Sequence, residues 1–457
     1  MQRRNFLTLS GLTLLGAVSP ACGEQAPGTR AATSQQRVVV IGAGLAGLAA
    51  ARELHNNGYD VVIVEGRDRI GGRVWTSLDW PDMPLDLGAS WIHGTQGNPI
   101  TELADQINAQ RVVTSYDRAI TYNTAGAPLT AAEASLMADL RAQVLRAIAA
   151  AQEAETDTSI QQVMAPLRQP LEPDSEAARF INFILSSEIE QEYAGSIDQL
   201  SSHWYDSDQQ FEGDEALFLP GFQVIPEFLA QGLTLELGQV VQAIHWQSAP
   251  LRVITQQTEF LADRVVVTLP LGVLQADTVQ FVPTLPPDKQ AAIAQLGMGV
   301  LNKCYLRFPD SFWPADVDWL GHIPANPGEW VDWVSFQRVA NQPILLGFNA
   351  AHQGRAIEAL SDQQIVDSAM QTLRTIYGDP IPEPTDHQIT RWAADPFALG
   401  SYSFNAVGSA PTMRHHLAAP LEASVFFAGE ATNGDYFGTT HGAYLSGVRA
   451  AREIMAQ

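Results

Sequence analysis

The clearest hydrophobic pattern lies close to the start of the chain. Residues 37–41 are an unbroken apolar run rich in β-branched residues, which is typical of a buried parallel strand. A glycine-rich turn follows, and apolar positions then recur with helical spacing from Leu48 to Asn57, before Gly58. Residues 60–64 form a second apolar run. This order predicts a strand–helix–strand unit, and therefore an α/β domain with a parallel sheet.

Three glycines in the turn fit the binding of a dinucleotide. Gly42 permits a tight turn, Gly44 lets a pyrophosphate approach the backbone, and Gly47 lets the helix pack closely on the strand. Free N–H groups at the start of the helix attract the phosphate charge. Glu65, which stands 18 positions after Gly47, can accept a hydrogen bond from a ribose hydroxyl.

The residues that follow Glu65 extend this motif. The run Glu65-Gly-Arg67-Asp-Arg69-Ile-Gly-Gly72-Arg73 resembles the E-x-R-x-R-x-G-G-R run of flavin amine oxidases and their relatives. The resemblance implies FAD rather than NAD, with Arg67 and Gly72 at the cofactor and Arg73 beside its diphosphate. A basic surface turn is the alternative, but such a turn does not need two adjacent glycines.

Further segments resemble the same family, and most closely its polyamine oxidases. They are residues 86–94, 266–274, 299–308, 391–403, 425–430 and 436–447. The resemblance implies several cofactor contacts: Ser90 and Trp91 touch the flavin, the backbone of Val241 holds adenine, Trp392 flanks the flavin, Glu430 accepts from ribityl hydroxyls, and Thr440 begins a helix whose N–H groups face flavin O2.

Catalytic roles are also implied. A lysine inside an apolar strand is costly unless it has a partner, and Lys303 stands in such a strand. The resemblance implies that Lys303 bonds a water at flavin N5, and burial should lower its pKa. The alternative is a lysine at a strand edge that reaches solvent. The resemblance implies an aromatic wall at Tyr402 and amine placement by His93, although a lone histidine is often structural.

Substrate contacts are less well marked. Glu192 is the residue that the resemblance favours for binding a distal ammonium, while a solvated acidic helix face is the structural alternative. Thr439 stands where monoamine oxidases have a second active-site tyrosine. Ser401 stands where those enzymes bind the flavin through a cysteine, so the resemblance implies non-covalent FAD. Four tryptophans are candidates either for an apolar tunnel or for core packing: Trp313, Trp319, Trp330 and Trp333.

The resemblance covers nearly all of residues 37–457 and implies the architecture. This is an α/β, Rossmann-like FAD/NAD(P)-binding domain, discontinuous in sequence, with an α+β substrate-binding domain of the amine oxidase type. We expect the FAD-binding domain at residues 37–98, 217–300 and 391–457, and the substrate-binding domain at residues 99–216 and 301–390. Apolar periodicity predicts helices over residues 101–110, 131–155, 175–195 and 362–377.

Composition narrows the choice of partners. The chain has 457 residues and a formal net charge of -24, which argues against nucleic acid as a partner. An acidic field attracts a cationic substrate such as a polyamine, although general acidity of the source proteome explains the charge equally well. No apolar stretch after the first 25 residues is long enough to span a bilayer.

The first 36 residues have the pattern of a leader followed by a tether. Gln2-Arg3-Arg4-Asn5-Phe6-Leu7 resembles a twin-arginine export signal, and an apolar region runs from Leu7 to Val18. We therefore predict export to a periplasmic or other extracytoplasmic location. Cleavage by a signal peptidase and a lipid anchor at Cys22 both stay open.

The function implied by the resemblance is an FAD-dependent polyamine oxidase. Such an enzyme transfers a hydride from spermidine or spermine to flavin N5, the imine hydrolyses to an aldehyde and an amine, and O2 is reduced to hydrogen peroxide. We expect no metal. One alternative is an L-amino-acid oxidase, which needs a buried arginine for the substrate carboxylate. Another is a non-catalytic protein that binds flavin or polyamines. The preferred polyamine, the bond cleaved and the oligomeric state stay open.

Overall fold

A five-stranded parallel sheet is built around the first strand of the chain, in the order β22-β13-β1-β2-β9. The computed structural model describes residues 36–457, so the predicted leader and tether, apart from Gln36, lie outside the described residues. In the described part, the strands are β1 (Arg37–Ile41), β2 (Asp60–Val64), β3 (Thr76–Ser77), β4 (Leu85–Asp86), β5 (Trp91–Ile92), β6 (Arg111–Thr114), β7 (Ala119–Tyr122), β8 (Glu215–Phe218), β9 (Thr234–Glu236), β10 (Val241–His245), β11 (Leu251–Thr255), β12 (Glu259–Ala262), β13 (Arg264–Val267), β14 (Gln280–Val282), β15 (Gly297–Met298), β16 (Leu301–Arg307), β17 (Trp319–His322), β18 (Asp332–Ser335), β19 (Ile344–Ala350), β20 (Asp386–Ile389), β21 (Ser403–Phe404) and β22 (Val425–Phe427).

Helices pack on both faces of the parallel sheet, together with strands on one of them. They are α1 (Leu45–Asn56), α2 (Pro99–Gln106), α3 (Ala131–Gln152), α4 (Ile160–Arg168), α5 (Glu176–Leu185), α6 (Gln191–Tyr193), α7 (Val224–Ala230), α8 (Leu271–Gln275), α9 (Pro287–Gln295), α10 (Phe336–Ala340), α11 (Ala351–Ile357), α12 (Asp362–Tyr377), α13 (Thr412–Ala418) and α14 (Thr440–Met455), with a π-helical turn at Ser186–Glu190 and a 3-10 turn at Glu430–Thr432.

The predicted strand–helix–strand unit is present as β1, α1 and β2. Helix α1 begins at Leu45 rather than Leu48, because Gly44 is its N-cap and Gly47 therefore lies in its first turn. A Cβ atom at Gly47 would lie 1.9 Å from the Gly42 carbonyl oxygen, so only glycine fits at this approach. Apolar residues of β1 and β2 pack on α1 and α14 on one face of the sheet. On the other face they pack on β10, β11, α9 and α13.

A six-stranded, mostly antiparallel sheet forms the second large layer, in the order β20-β16-β19-β18-β17-β7. One face packs on α12 through Trp330, Trp333 and Leu345. The other face carries Lys303 and Tyr305 and faces the small sheet β5-β8-β6. Residues 36–457 form one unit, and within it the predicted domain boundaries stay a prediction.

One helix prediction was wrong. Residues 175–195 were expected to form a single helix, but α5 ends at Leu185 and the chain continues as the π-helical turn and then the short helix α6. Ala194 ends this segment in the left-handed conformation, with φ of 55°. π-Helical turns widen the backbone and are common at functional sites.

A buried ion pair supports the edge of the six-stranded sheet. Asp318 is fully buried, and its carboxylate accepts two hydrogen bonds from the Arg338 guanidinium, one of them 2.8 Å long. The same carboxylate accepts a bond of 2.9 Å from the Ser115 backbone N–H. The pair therefore joins three separate segments directly beside Trp319.

We expect Asp318→Ala to lower the free energy of unfolding by about 3 kcal/mol, because it leaves a partly buried guanidinium without its carboxylate. Urea unfolding followed by tryptophan fluorescence measures the loss. Glu383→Ala is the matched control, since Glu383 pairs with Arg374 at an exposed position and should cost less than about 1 kcal/mol. Equal losses in the two variants would contradict a supporting role for Asp318.

Candidate active site

Lys303 provides a buried amine at the centre of the candidate site. Its side chain extends from β16 and is 5% exposed. Nζ donates hydrogen bonds to the carbonyl oxygens of Asp86 (2.7 Å) and Gly88 (2.6 Å), and to the hydroxyl of Ser90. All three acceptors belong to one short segment after β4, so the lysine fixes that segment against the six-stranded sheet.

Burial changes the acid–base properties of this region. It lowers the pKa of Lys303 to about 7, an effect that the negative charge of Asp86 opposes. Burial also raises the pKa of the Asp86 carboxyl, while hydrogen bonds from the Thr76 hydroxyl (2.6 Å) and the Phe222 N–H (2.9 Å) act in the opposite direction. A buried amine with such a pKa can gain or lose a proton near neutral pH.

Aromatic rings form a continuous stack that runs from the lysine to the surface. The Trp91 ring centroid lies 5.9 Å from Lys303 Nζ. Trp91 stacks on Trp319 with centroids 5.8 Å apart, and Trp319 stacks on Tyr116 at 4.7 Å. Phe348 packs beside both tryptophans at 6.3 Å. The stack gives the site an apolar wall that includes Trp91. The predicted contact of Ser90 and Trp91 with the flavin stays a prediction.

His93 lies at the exposed rim of this wall. Its Nδ1 is 2.6 Å from Oε2 of Glu215, and 57% of its side chain is exposed. The side-chain amide of Asn98 donates to the His93 carbonyl oxygen (3.1 Å) and lies 3.4 Å from Nδ1 of His441. Burial, and next the charge of His93, lowers the pKa of His441 to about 3, so this imidazole is neutral. Asn98 therefore joins the backbone of His93 to the buried, neutral imidazole of His441.

Tyr402 and Glu192 lie close together on another side of the site. The Tyr402 hydroxyl donates to the Gln191 carbonyl oxygen at 2.7 Å. Burial, and then the negative charge of Glu192, raises the pKa of Tyr402, so the phenol stays protonated. The segment just before β16 joins this group to the lysine strand, because the Gly299 N–H donates to the Tyr402 carbonyl oxygen at 2.8 Å.

Thr439 and Thr440 begin the last helix. The Thr439 hydroxyl accepts from the Gly442 N–H (2.9 Å) and donates to the Tyr436 carbonyl oxygen (2.8 Å), so it caps α14. Thr440 is the first residue of that helix, whose free N–H groups attract negative charge. The structure thus gives Thr439 a capping role, and its predicted contact with substrate stays a prediction.

The glycine-rich turn has the shape that a dinucleotide requires. A Cβ atom at Gly42 would lie 2.4 Å from the Thr268 hydroxyl, so this side of the turn is filled. At Gly44, by contrast, the nearest atom to a Cβ would be the Gly71 carbonyl oxygen at 3.9 Å. Gly72 has φ of 61°, which glycine adopts freely. Open space beside Gly44 fits the predicted approach of a pyrophosphate.

Glu65 connects the turn to the predicted adenine side. Its Oε2 accepts from the Ala43 N–H at 2.7 Å and its Oε1 from the Arg67 N–H at 2.9 Å. Each oxygen retains capacity for a further donor such as a ribose hydroxyl. The Gln239 N–H donates to the Glu65 carbonyl oxygen at 2.8 Å, which places the start of β10, Val241, near this end of the site.

Glu430 is a buried carboxylate that joins three parts of the chain. It accepts from the Arg73 guanidinium (2.8 Å), from the Ser403 hydroxyl (2.6 Å) and from the Gly438 N–H (3.0 Å). Burial raises its pKa, but the charge of Arg73 and these hydrogen bonds leave the pKa lowered. Glu430 is therefore ionised at neutral pH, and it orients Arg73 toward the region where the diphosphate is expected.

A cavity beside Glu430 offers room for part of a cofactor. It has about 280 Å³ of empty space, some of it open solvent. Its lining is mostly apolar, with polar groups at one end: Arg73, Val267, Leu269, Pro270, Leu271, Leu274, Leu417, Phe427, Ala428, Gly429, Glu430, Ala431 and Thr432. Gly429 has φ of 128° and a Cβ there would meet nothing within 4 Å. The residues present therefore fit FAD.

Arg67 and Trp392 support the loop around the cofactor region. Arg67 forms a two-pronged pair with Asp395, at 2.9 and 2.6 Å, and its guanidinium lies over the Phe397 ring. Trp392 is buried and donates its indole N–H to the Leu87 carbonyl oxygen at 3.2 Å. Trp392 holds residues 391–397 against the segment that anchors Lys303, and Arg67 holds them against the turn that follows Glu65. Their direct contact with FAD stays a prediction.

Sequence reasoning missed two buried polar residues near the site. Asn302 accepts from the Trp392 N–H (3.0 Å) and donates to Glu358, so it sets the position of Trp392. Arg414 is fully buried, donates to Asn405 and Ser403, and lies 3.9 Å from the Phe437 ring centroid. Asn302 is adjacent to Lys303 in sequence and could have been suspected, but no sequence pattern marks Arg414.

Cys304, the one cysteine among residues 36–457, points away from the site. Cys304 is buried with Leu306 and Trp333 on the face of β16 opposite to Lys303, and burial raises the pKa of its thiol. The Ser401 hydroxyl is bonded to both the N–H and the carbonyl oxygen of Leu301. This arrangement agrees with the prediction of non-covalent FAD.

Only one of the four candidate tunnel tryptophans, Trp319, belongs to the aromatic wall. Trp313, Trp330 and Trp333 are buried in the core on the opposite face of the six-stranded sheet. Alternation along β17 and β18 explains the difference, because neighbouring residues of a strand face opposite sides.

Comparisons with known proteins agree with this geometry. A family model described as flavin containing amine oxidoreductase matches residues 45–455. Polyamine oxidase 4 of Oryza sativa subsp. japonica is 33% identical over 93% of this chain and 89% of its own length. Lysine-specific histone demethylase 2 of Homo sapiens is 33% identical over 92% of this chain and 53% of its own length.

A solved structure, wild-type putrescine oxidase bound to putrescine, superposes with a TM-score of 0.76 at 20% identity, over 93% of this chain and 99% of that one. These likenesses confirm the predicted fold, an α/β FAD-binding domain with a substrate-binding domain. The chain spans between 52% and 62% of the histone demethylase relatives that it matches.

The predicted export is wrong. The relatives include several lysine-specific histone demethylases, whose named substrate lies inside the cell, which contradicts a periplasmic or extracytoplasmic location with an anchor at Cys22. The prediction depended on two arginines before a short apolar run, a pattern too short to be specific. In residues 36–457 no helix is long and apolar enough to cross a membrane.

We expect FAD to be released intact when the protein is denatured, because Cys304 lies on the opposite face of β16 and Ser401 cannot form a thioether. Precipitation with trichloroacetic acid, followed by the absorbance spectrum of the supernatant, measures the release. Yellow colour retained in the washed pellet would contradict non-covalent binding.

Arg73→Met should lower FAD content, since it removes the cation that Glu430 orients.

Proposed function

Because the chain belongs to the family of flavin-containing amine oxidoreductases, we propose that it is an FAD-dependent polyamine oxidase. FAD, when bound, accepts a hydride from the carbon beside an amine nitrogen and passes the electrons to O2. The chain's own residues bind the amine, exclude bulk water and hold a proton near the reacting carbon. The substrates proposed are spermidine and spermine, which give an aldehyde and a smaller amine.

The observation that carries the proposal is the grouping of a buried amine, an apolar wall and acidic groups along β16. Lys303 lies against Ser90 and Trp91, while Gly299, just before the same strand, donates to the backbone of Tyr402 beside Glu192. Acidic groups together with a net charge of -24 favour a substrate with several positive charges. The apolar wall favours its methylene segments.

Each residue has a proposed task. His93 places the reacting amine at the rim, and its pair with Glu215 sets the orientation of the imidazole. Tyr402 forms part of the wall, and Glu192 binds one further ammonium of a substrate with three or more nitrogens, at a distance from the reacting carbon. In its neutral form Lys303 keeps two N–H donors for the carbonyl oxygens of Asp86 and Gly88, and its lone pair can accept from a water in place of Ser90. That water can attack the imine while the imine is still in the site.

A second candidate is oxidation of an N-methylated lysine side chain. It is favoured by the lysine-specific histone demethylases among the relatives, which are as similar in sequence as the plant polyamine oxidase. The chemistry at the carbon beside nitrogen is the same. The difference lies in whether the site accepts a free polyamine or a side chain attached to a peptide.

The proposal is tested by mixing the purified FAD-loaded protein anaerobically with single substrates and following loss of the yellow flavin absorbance. The panel is spermidine, spermine, putrescine, a peptide with N-methylated lysine, and L-amino acids. Spermidine or spermine should bleach the flavin rapidly, and air should restore the colour. Bleaching by the peptide alone favours the second candidate, and bleaching by amino acids alone favours an L-amino-acid oxidase. A protein that no substrate bleaches would contradict an oxidase.

We expect the turnover rate at saturating substrate to rise through about pH 7, because burial lowers the pKa of Lys303 to this range and the neutral amine forms above it. Lys303→Met should remove this rise of the turnover rate with pH. It should also slow turnover about 100-fold, the usual contribution of a positioned proton-transfer group. Stopped-flow pH profiles of both proteins measure the change.

The matched control is Lys289→Met. Lys289 is the other buried lysine of the described residues, and it donates to the carbonyl oxygens of His416 and Leu417. Its loss should reduce the stability of the protein, but the turnover rate should still rise through about pH 7. A pH-dependent rise of turnover that survives in Lys303→Met would assign the titration to another group.

A further inference from the structure

Strand register places an acidic residue in line with the catalytic lysine. Lys303 on β16 pairs with Phe348 on β19. Trp333 on β18 pairs with Gly347 in an antiparallel ladder, so the preceding residue, Asp332, lies opposite Phe348. Strands are spaced by about 4.8 Å, which puts the Cα atoms of Lys303 and Asp332 about 10 Å apart across the sheet.

Asp332 and Lys303 also share a face of this sheet. Alternation along β18 directs Asp332 and Val334 to one side and Trp333 to the other. Val334 packs with Trp91, Trp319 and Phe348, the side chains of the aromatic wall, whereas Trp333 packs on the opposite side with α12. The carboxylate therefore faces the same apolar region as the buried lysine.

No cation of the described chain pairs with Asp332. Its side chain is partly accessible, accepts from the Ser187 hydroxyl, and lies near Glu188, whose own charge is matched by Arg141 at 2.6 Å. Burial raises the pKa of Asp332 to about 6. A carboxylate on an apolar face is costly unless a positive partner offsets the loss of water. A cationic ligand can supply that partner.

We propose that Asp332 binds the distal ammonium of a di- or polyamine and thereby sets the preference for substrates with two or more positive charges. The inference rests on the proposed function and adds a specificity-determining residue to it. A separation of about 10 Å between the two Cα atoms suits two nitrogens joined by a short methylene chain, with the reacting end near Lys303. A monoamine of equal length reaches the lysine end but leaves Asp332 without a partner.

The test compares putrescine with n-butylamine, a monoamine of the same carbon length, on FAD-loaded wild type and Asp332→Asn. We expect KM for putrescine to rise about 10- to 100-fold in the variant, as for loss of a charged hydrogen-bonded partner, with kcat little changed. KM for butylamine should change less than about twofold, because no ammonium occupies the Asp332 end. Calorimetric titration of putrescine into the dithionite-reduced holoenzyme, which cannot oxidise it, should show the same loss of affinity.

Two further variants test whether the position of the Asp332 carboxylate sets the preferred length of the diamine. Asp332→Glu moves the carboxylate one methylene toward the lysine, so the preferred diamine should become one carbon shorter. Glu188→Gln is the matched control, since it removes a neighbouring charge that Arg141 already matches. In this variant the ratio of the KM for putrescine to the KM for butylamine should stay as in wild type.

If the ratio of the two KM values is unchanged in Asp332→Asn, whether neither KM changes or both change equally, the role of Asp332 is overturned. The proposal of a polyamine oxidase is not affected by that result. Wild type that neither oxidises nor binds any free di- or polyamine would overturn both this inference and the proposed function. An unchanged preferred chain length in Asp332→Glu would also count against direct contact between the carboxylate and the ammonium.

Discussion

The buried amine of Lys303 is the constraint on which the geometry of the site depends. A lysine on an apolar sheet face loses its water, and three oxygen atoms of the segment from Asp86 to Ser90 replace that water. The same hydrogen bonds fix the position of Trp91, since it directly follows Ser90 in the chain. Solvation of a single charge thus connects the six-stranded sheet to the loop that carries the first aromatic ring of the wall.

A second buried charge organises the cofactor side in a similar way. Glu430 is held ionised by Arg73 and by N–H and O–H donors of Ser403 and Gly438, which come from separate parts of the sequence. In both places the cost of burying charge is met by groups brought together only by the fold. A single substitution at either charge therefore affects several segments at once, and the effect is larger than the loss of one contact.

The sequence predicted best where local geometry determines structure. The turn from Gly42 to Gly47 was predicted because glycine spacing acts over a few residues, and the helix Asp362–Tyr377 was predicted from its apolar periodicity. Residues 175–195 were predicted less well, since nothing in their helical periodicity marks a π-helical turn. Trp319 and Trp333 could not be assigned to wall or core, because that choice depends on strand alternation and on which face packs against another layer.

Substrate preference depends most strongly on information that is absent from local sequence. Asp332 and Lys303 are separated by 29 positions in the chain, and only the pairing of β16, β19 and β18 brings them to one face. A shift of one residue in the register of β18 would turn Asp332 into the core and Trp333 toward the site. In the proposed binding mode, the residue that meets the far end of the substrate is therefore set by sheet register rather than by the motifs around the flavin.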